Sequence, residues 1–152
     1  MERIEPIMLS QKARYALRAM LHLAGQPRDE PTLIGEIAEE QQVPKKFLEL
    51  ILLDLKRRGL VHSVRGRKGG YVLGRDPAEI SFAEVIRVID GPLALAPCAS
   101  RANYRKCDDC LDERTCAIRR ALIEARDATA AVLESISLKG ALADRSKVPA
   151  FN

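Results

Sequence analysis

All four cysteines of this 152-residue chain, Cys98, Cys107, Cys110 and Cys116, fall within one window of 19 residues, CASRANYRKCDDCLDERTC, and the rest of the chain has none. The spacing is C-x8-C-x2-C-x5-C. Cysteines used for packing sit singly among aliphatic side chains, whereas these sit among Arg, Lys, Asp and Glu. Four soft thiolate donors delivered by short loops form the ligand set of a closed zinc site or an iron–sulfur cluster. The Cys107 and Cys110 pair has in addition the spacing of a thiol–disulfide couple.

No other constellation offers chemistry. GxSxG, HExxH, a P-loop and paired carboxylates are absent, and His22 and His62 each stand alone. No catalytic residue is assigned, and the chain does not read as an enzyme. Residues 1–9 contain acids and a proline where a secretory leader has an apolar run. No stretch approaches the roughly 20 apolar residues of a membrane span. The expected location is the cytoplasm, away from any membrane, where clustered thiols stay reduced and serve metals or redox chemistry rather than structural disulfides.

The cysteine window follows a basic segment. From Pro44 to Arg75 there are nine Lys or Arg against two acids, Glu49 and Asp54, in a chain whose net charge is only +4. Positive charge concentrated in this way is an electrostatic footprint for a polyanion. The elements expected there have a recognisable order. LSQKARYALRAMLHLA, from Leu9 to Ala24, has helical apolar spacing with Ser10 as cap, and Met8 is an alternative start. Thr32 is the expected cap of a short helix, LIGEIAEEQQ. Pro44 then opens a longer helix, PKKFLELILLDLKRR, which Gly59 ends. Two β-favouring runs, Leu60 to Val64 and Tyr71 to Leu73, flank the turn Arg65-Gly-Arg-Lys-Gly-Gly70. This order is a helix-turn-helix followed by a hairpin wing.

Such a unit places side chains near the start of its second helix against base edges, while the surrounding cations hold phosphates. Lys45, Lys46 and Glu49 are the base-facing candidates, since Lys bonds guanine and Glu accepts from cytosine N4. Arg65, Arg67 and Lys68 on the wing reach a phosphate or the minor groove. Lys12 adds a backbone contact from the first helix.

A short helix from Ser81 to Ile89 completes the domain, and Asp90-Gly91-Pro92 stops it. The last long helix runs from about Cys116 to Ile136. Along it Ile118, Leu122, Ala125, Thr129, Val132 and Ile136 repeat at alternating steps of four and three, a heptad seam. A small winged domain has little surface to cover such a seam, so a homodimer is expected. The fold class is therefore mainly α with a small β-hairpin wing. A winged helix-turn-helix domain spans 8–90, a cysteine-rich sensor loop 91–116, a dimerisation helix 116–138 and a polar tail 139–152.

LSQKARYALRAM near the start, FLELILLDLKRRGLVHSVRGRKGGYVLGRDP in the middle, and a cysteine loop before a helix ending SLKGAL together resemble the IscR/NsrR-type family of dimeric bacterial winged-helix transcription regulators. The resemblance covers roughly Met8 to Leu142, and the VRGRKGGYVL wing is its most specific part. It implies a homodimer on a palindromic double-stranded DNA operator, acting as a repressor. It also implies an iron–sulfur cluster, 2Fe–2S or 4Fe–4S, held by three cysteines of the loop. Cys110 and Cys116 match those positions, and Cys98 and Cys107 compete for the third. The chain departs from the pattern by its fourth cysteine, by Arg119 where some members offer a histidine ligand, and by Arg14 where others offer an acidic one. An all-thiolate site within one subunit is consistent with these departures. The alternatives are a zinc site, thiol sensing by Cys107 and Cys110, or a cluster-free regulator of sulfur metabolism of the kind some relatives represent.

Overall fold

The computed structural model describes residues 9–150. Met8, the alternative start and the first edge of the expected DNA-binding domain, lies outside the described residues.

Helix α1, Gln11–Ala24, starts where the Ser10 hydroxyl accepts the N–H of Ala13 at 2.9 Å. It buries Ala13, Ala16, Leu17, Met20 and Leu23 along one stripe. Helix α2 covers Ile34–Gln41, but Thr32 does not cap it; the cap position is Leu33, with no side-chain bond. Thr32 is instead extended and buried. It donates its N–H to the Tyr71 carbonyl at 3.0 Å and accepts the Tyr71 N–H at 2.8 Å. Two backbone bonds to a buried residue outweigh the one a capping hydroxyl would make.

Helix α3, Lys45–Arg57, follows Pro44 and drives Leu48, Ile51, Leu52 and Leu55 into the core. Gly59 ends it at φ +74°, a left-handed conformation that suits glycine. Strands β1, Val61–Val64, and β2, Gly70–Leu73, form the antiparallel wing, with Val61 opposite Leu73 and Val64 opposite Gly70. A Cβ on Gly70 would come 2.3 Å from the Thr32 carbonyl oxygen, so glycine is required where the Thr32 segment docks on the hairpin.

Helix α4, Phe82–Asp90, is capped by Ser81, which the sequence pattern places inside the helix, and it stops at Gly91 as the sequence predicts. Its last residue returns to the start of the chain: Asp90 accepts the Ser10 N–H at 3.0 Å and also the Ser10 hydroxyl. Around α1, α3 and α4 the core closes on Met20, Ile51, Leu55, Val85 and, from the base of the wing, Leu60 and Val61.

Helix α5 spans Ala117–Ser135 and buries none of its residues. On its heptad seam Ile118 and Val132 are 72% and 58% exposed. Thr129 is also exposed, while Leu122, Ala125 and Ile136 are half-buried. Only near its end does α5 engage the core, through Leu133. The dimerisation helix expected over 116–138 ends at Ser135, and Leu138 with the first residues of the expected polar tail 139–152 forms a further helix, α6, Leu138–Ala143. Leu138 is fully buried, its N–H bonded to the Ile80 carbonyl at 2.9 Å, and the Phe82 N–H bonds the Ile136 carbonyl at 2.9 Å. Six residues, LKGALA, are too short for a helical repeat to show, which is why the sequence pattern passes over them. Among the described residues, no helix is long and apolar enough to cross a membrane.

Candidate functional site

Two regions carry the chemistry. The first is the basic surface made by α3 and the wing, which are joined directly through Arg58, Gly59 and Leu60. Lys45, Lys46 and Glu49 stand exposed on the first two turns of α3, opposite the leucines that enter the core. Arg65, Arg67 and Lys68 are exposed in the turn between β1 and β2, where the Gly69 N–H closes onto the Gly66 carbonyl at 3.0 Å. Lys12 is placed differently. Its ammonium donates to Asp54 at 2.7 Å, both side chains being about a third exposed, so it ties α1 to α3. Arg75 forms an ion pair with Glu84 of α4 and belongs to the scaffold. His22 is buried at the end of α1 with its Nδ1 at 3.2 Å from the Gln41 amide.

The second region is the cysteine loop between α4 and α5. A single 3-10 turn, Pro97–Ala99, buries Cys98. Cys107 is exposed, and Cys110 and Cys116 are half-buried. Burial pushes the Cys98 thiol above its usual pKa, and a hydrogen bond with the neighbouring Cys107 thiol adds to this. The Cys110 N–H donates to the Cys107 carbonyl at 3.2 Å, closing the CxxC turn. Cys116 caps α5, its sulfur accepting the Arg119 N–H at 3.4 Å.

Three side chains of α5 hold the start of this loop. Arg119 donates from Nε to the Cys98 carbonyl at 3.0 Å and from Nη1 to the Glu113 carbonyl at 3.4 Å. Its guanidinium also lies over the Tyr104 ring, 5.7 Å from the centroid. Two turns on, Arg126 donates to the Ala99 carbonyl and pairs with Asp127 at 2.7 Å, and Arg101 reaches the same carboxylate at 3.2 Å. The hydrogen bond from Arg126, with the nearby Arg101 charge, holds the Asp127 carboxyl below the usual carboxylate range. From the sequence Arg119 reads only as a residue unable to bind metal. The signal available was its seven-residue spacing from Arg126 beside the seam, which puts both guanidinia on one side of the helix. A groove of about 710 Å³ runs where α4, residues 91–94, the loop and α5 meet, and its Arg87 is paired with Glu134 at 2.6 Å.

Among the described residues, no three Cys, His, Asp or Glu side chains converge as metal ligands. The donor chemistry nonetheless fits a thiolate-held centre. All four thiols are free, Cys107 lies beside Cys98, and Cys110 is one tight turn from Cys107.

The family described as Rrf2, iron-dependent transcriptional regulator, matches residues 9–144. An rrf2-like HTH-type transcriptional regulator of Rhodobacter capsulatus is 47% identical over 139 residues, covering 90% of this chain and 93% of the relative. The HTH-type transcriptional regulator IscR of Photorhabdus laumondii is 39% identical, over 86% of this chain and 76% of its own. Among solved structures, CymR, the global cysteine regulator of Bacillus subtilis, superposes with a TM-score of 0.74 at 33% identity, covering 90% of this chain and 96% of CymR.

Proposed function

This chain belongs to the Rrf2 family of transcriptional regulators, and from that premise we propose that it represses transcription as a homodimer on a palindromic operator, with DNA affinity set by the state of the cysteine loop. The observation that carries the reading is the set of uncompensated cations on the wing and on the first turn of α3: Arg65, Arg67, Lys68, Lys45 and Lys46 are all exposed, and none forms an ion pair with a described residue. Lys46 and Glu49 address base edges, and the wing addresses phosphates or the minor groove. The unburied seam of α5, Ile118 to Ile136, supports a second copy of the chain as its cover. No catalytic role is assigned, in keeping with relatives that are named as regulators and not as enzymes.

Cys98, Cys107, Cys110 and Cys116 would hold an iron–sulfur cluster, a centre that iron supply, oxidants or nitric oxide can remove or modify. The protein's own residues supply the coupling. Arg119 and Arg126 bind the loop to α5, and α5 ends in the Ile136 and Leu138 contacts with the start of α4. A change in the loop can thereby alter the setting of the two α3 helices, which must match half-sites about one helical turn, roughly 34–36 Å, apart.

The test is the absorption spectrum together with the iron, sulfide and zinc content of protein purified without oxygen, followed by operator titration of the holo-protein and of apo Cys107→Ala. Equal iron and sulfide, with weaker or altered binding by the apo variant, supports the cluster reading. Identical affinities refute the coupling. A second reading, a cluster-free regulator using zinc or thiols, is favoured by the contact of Cys98 with Cys107 and by the likeness to CymR. Zinc alone, or no metal, in the same preparation would select it.

A further inference from the structure

Helix α3 carries two apolar side chains on the wrong side for packing. Leu48, Ile51, Leu52 and Leu55 face the core. At 100° per residue, Lys46, Glu49, Leu50, Leu53 and Arg57 share the opposite face, and all five are exposed. Leu50 is 57% and Leu53 42% exposed. The fold leaves about half of each leucine uncovered, and that apolar surface points to whatever α3 meets.

We propose that Leu50 and Leu53 are specificity-determining residues that read thymine methyl groups on the floor of the major groove. The inference rests on the DNA-binding reading above and names what that surface recognises. Charge complementarity selects the occupant. The two leucines lie between Lys45 and Lys46 at one end of the face and Lys56 and Arg57 at the other, all exposed. An apolar protein groove would have to desolvate that cationic surround. A DNA duplex offers phosphates to the cations on both walls, and the thymine C5-methyl is the apolar feature of its major groove. The spacing also fits. Residues three apart on a helix are displaced by about 4.5 Å, so Leu50 and Leu53 address neighbouring base steps stacked at roughly 3.4 Å. Lys46 and Glu49, one turn earlier, are left for guanine and cytosine. The expected half-site therefore pairs a G·C position facing the start of α3 with thymines facing its middle.

The experiment uses the full-length protein. A duplex is selected from a randomised pool, and its thymines are replaced one at a time by deoxyuridine, which removes only the methyl group. Affinities are then measured by fluorescence anisotropy for wild type, Leu50→Ala and Leu53→Ala. Wild type should lose roughly four-fold at one or two positions in each half-site, the transfer value of one methyl group. Each alanine variant should be indifferent to the methyl its leucine reads, and because both side chains are exposed the variants should keep wild-type helicity. Equal sensitivity of wild type and variants to every methyl overturns the proposal. So does unchanged DNA binding accompanied by a shift in oligomeric state on sedimentation, which would assign the leucines to a contact between copies. If no duplex is enriched from the pool, the DNA-binding reading itself fails, and this inference with it.

Discussion

Replacing Arg65, Arg67 and Lys68 together by alanine isolates what the wing contributes through charge. The three side chains project from the turn between β1 and β2, are exposed, and form no ion pair with a described residue. The register from Val61–Leu73 to Val64–Gly70 is carried by backbone bonds, so the hairpin should survive the change. Each phosphate neutralised contributes about 0.9 to the slope of log affinity against log salt, so one wing supplies up to about 2.7 and a dimer with both wings engaged about 5.4. Between 50 and 200 mM salt, a slope of about 2.7 is worth roughly a 40-fold change in affinity. Anisotropy titrations of a labelled duplex at four salt concentrations measure both slopes. The triple variant should bind more weakly at low salt and show a shallower slope, with the two proteins converging as salt rises. A parallel loss at every salt concentration would mean that the wing acts by shape and not by charge. An unchanged slope and affinity would remove the wing from the DNA altogether.

Leu138→Ala should destabilise the domain by about 2–5 kcal/mol in urea unfolding, because the side chain is fully buried in the core and its removal leaves a cavity there. Arg119→Ala should open the cysteine loop locally, raising amide exchange across residues 98–113 about 10- to 100-fold, as expected when charged hydrogen bonds of about 1.5–3 kcal/mol are lost. Arg119→Lys should not restore protection, because two carbonyls and a ring are met by one planar guanidinium. For Asp127, whose folded pKa is depressed chiefly by Arg126, the pairing is fully present above the unfolded pKa and is lost as pH falls through the folded one. The Arg101 and Arg126 Nε–H resonances should therefore shift only in acid below the ordinary carboxylate range, and Asp127→Asn should abolish that transition.

The readable parts of this molecule are those where one short segment determines its own structure. Ser10 caps α1 because its hydroxyl reaches an N–H three residues on, and Gly59 ends α3 because it can adopt a positive φ. The wing declares itself through glycines between β-branched runs. Contacts between distant segments were not readable. Thr32 has the chemistry of a cap, yet bonding to Tyr71, 39 residues away, leaves it extended. Leu138 reads as the last residue of the dimerisation helix until its N–H is found bonded to the Ile80 carbonyl, 58 residues away. Lys12 counts as a free cation until Asp54 is found at 2.7 Å. The cysteines illustrate both sides: their spacing gives the donor set, while the division between buried Cys98 and exposed Cys107 follows from arginines on a helix that comes later in the chain.

That division bears on how such a loop could act as a sensor. If all four thiols hung on a solvated loop, a bound centre could come and go with little effect beyond the loop itself. Here the first thiol is fixed: Cys98 is buried, and its carbonyl is held by Arg119. Cys116 is fixed as well, since it caps the same helix. Only Cys107 and Cys110 sit on the exposed excursion between them. Cys107 already lies beside Cys98, so gathering four sulfurs means drawing Cys110, with the rest of that excursion including Tyr104 and Glu113, in toward them. Both of those residues touch Arg119, through the ring and through a backbone carbonyl. Any centre that forms must work against or with the arginine that braces the loop, so Cys116, which caps α5, and Arg119 are the points at which occupancy of the thiols would reach that helix.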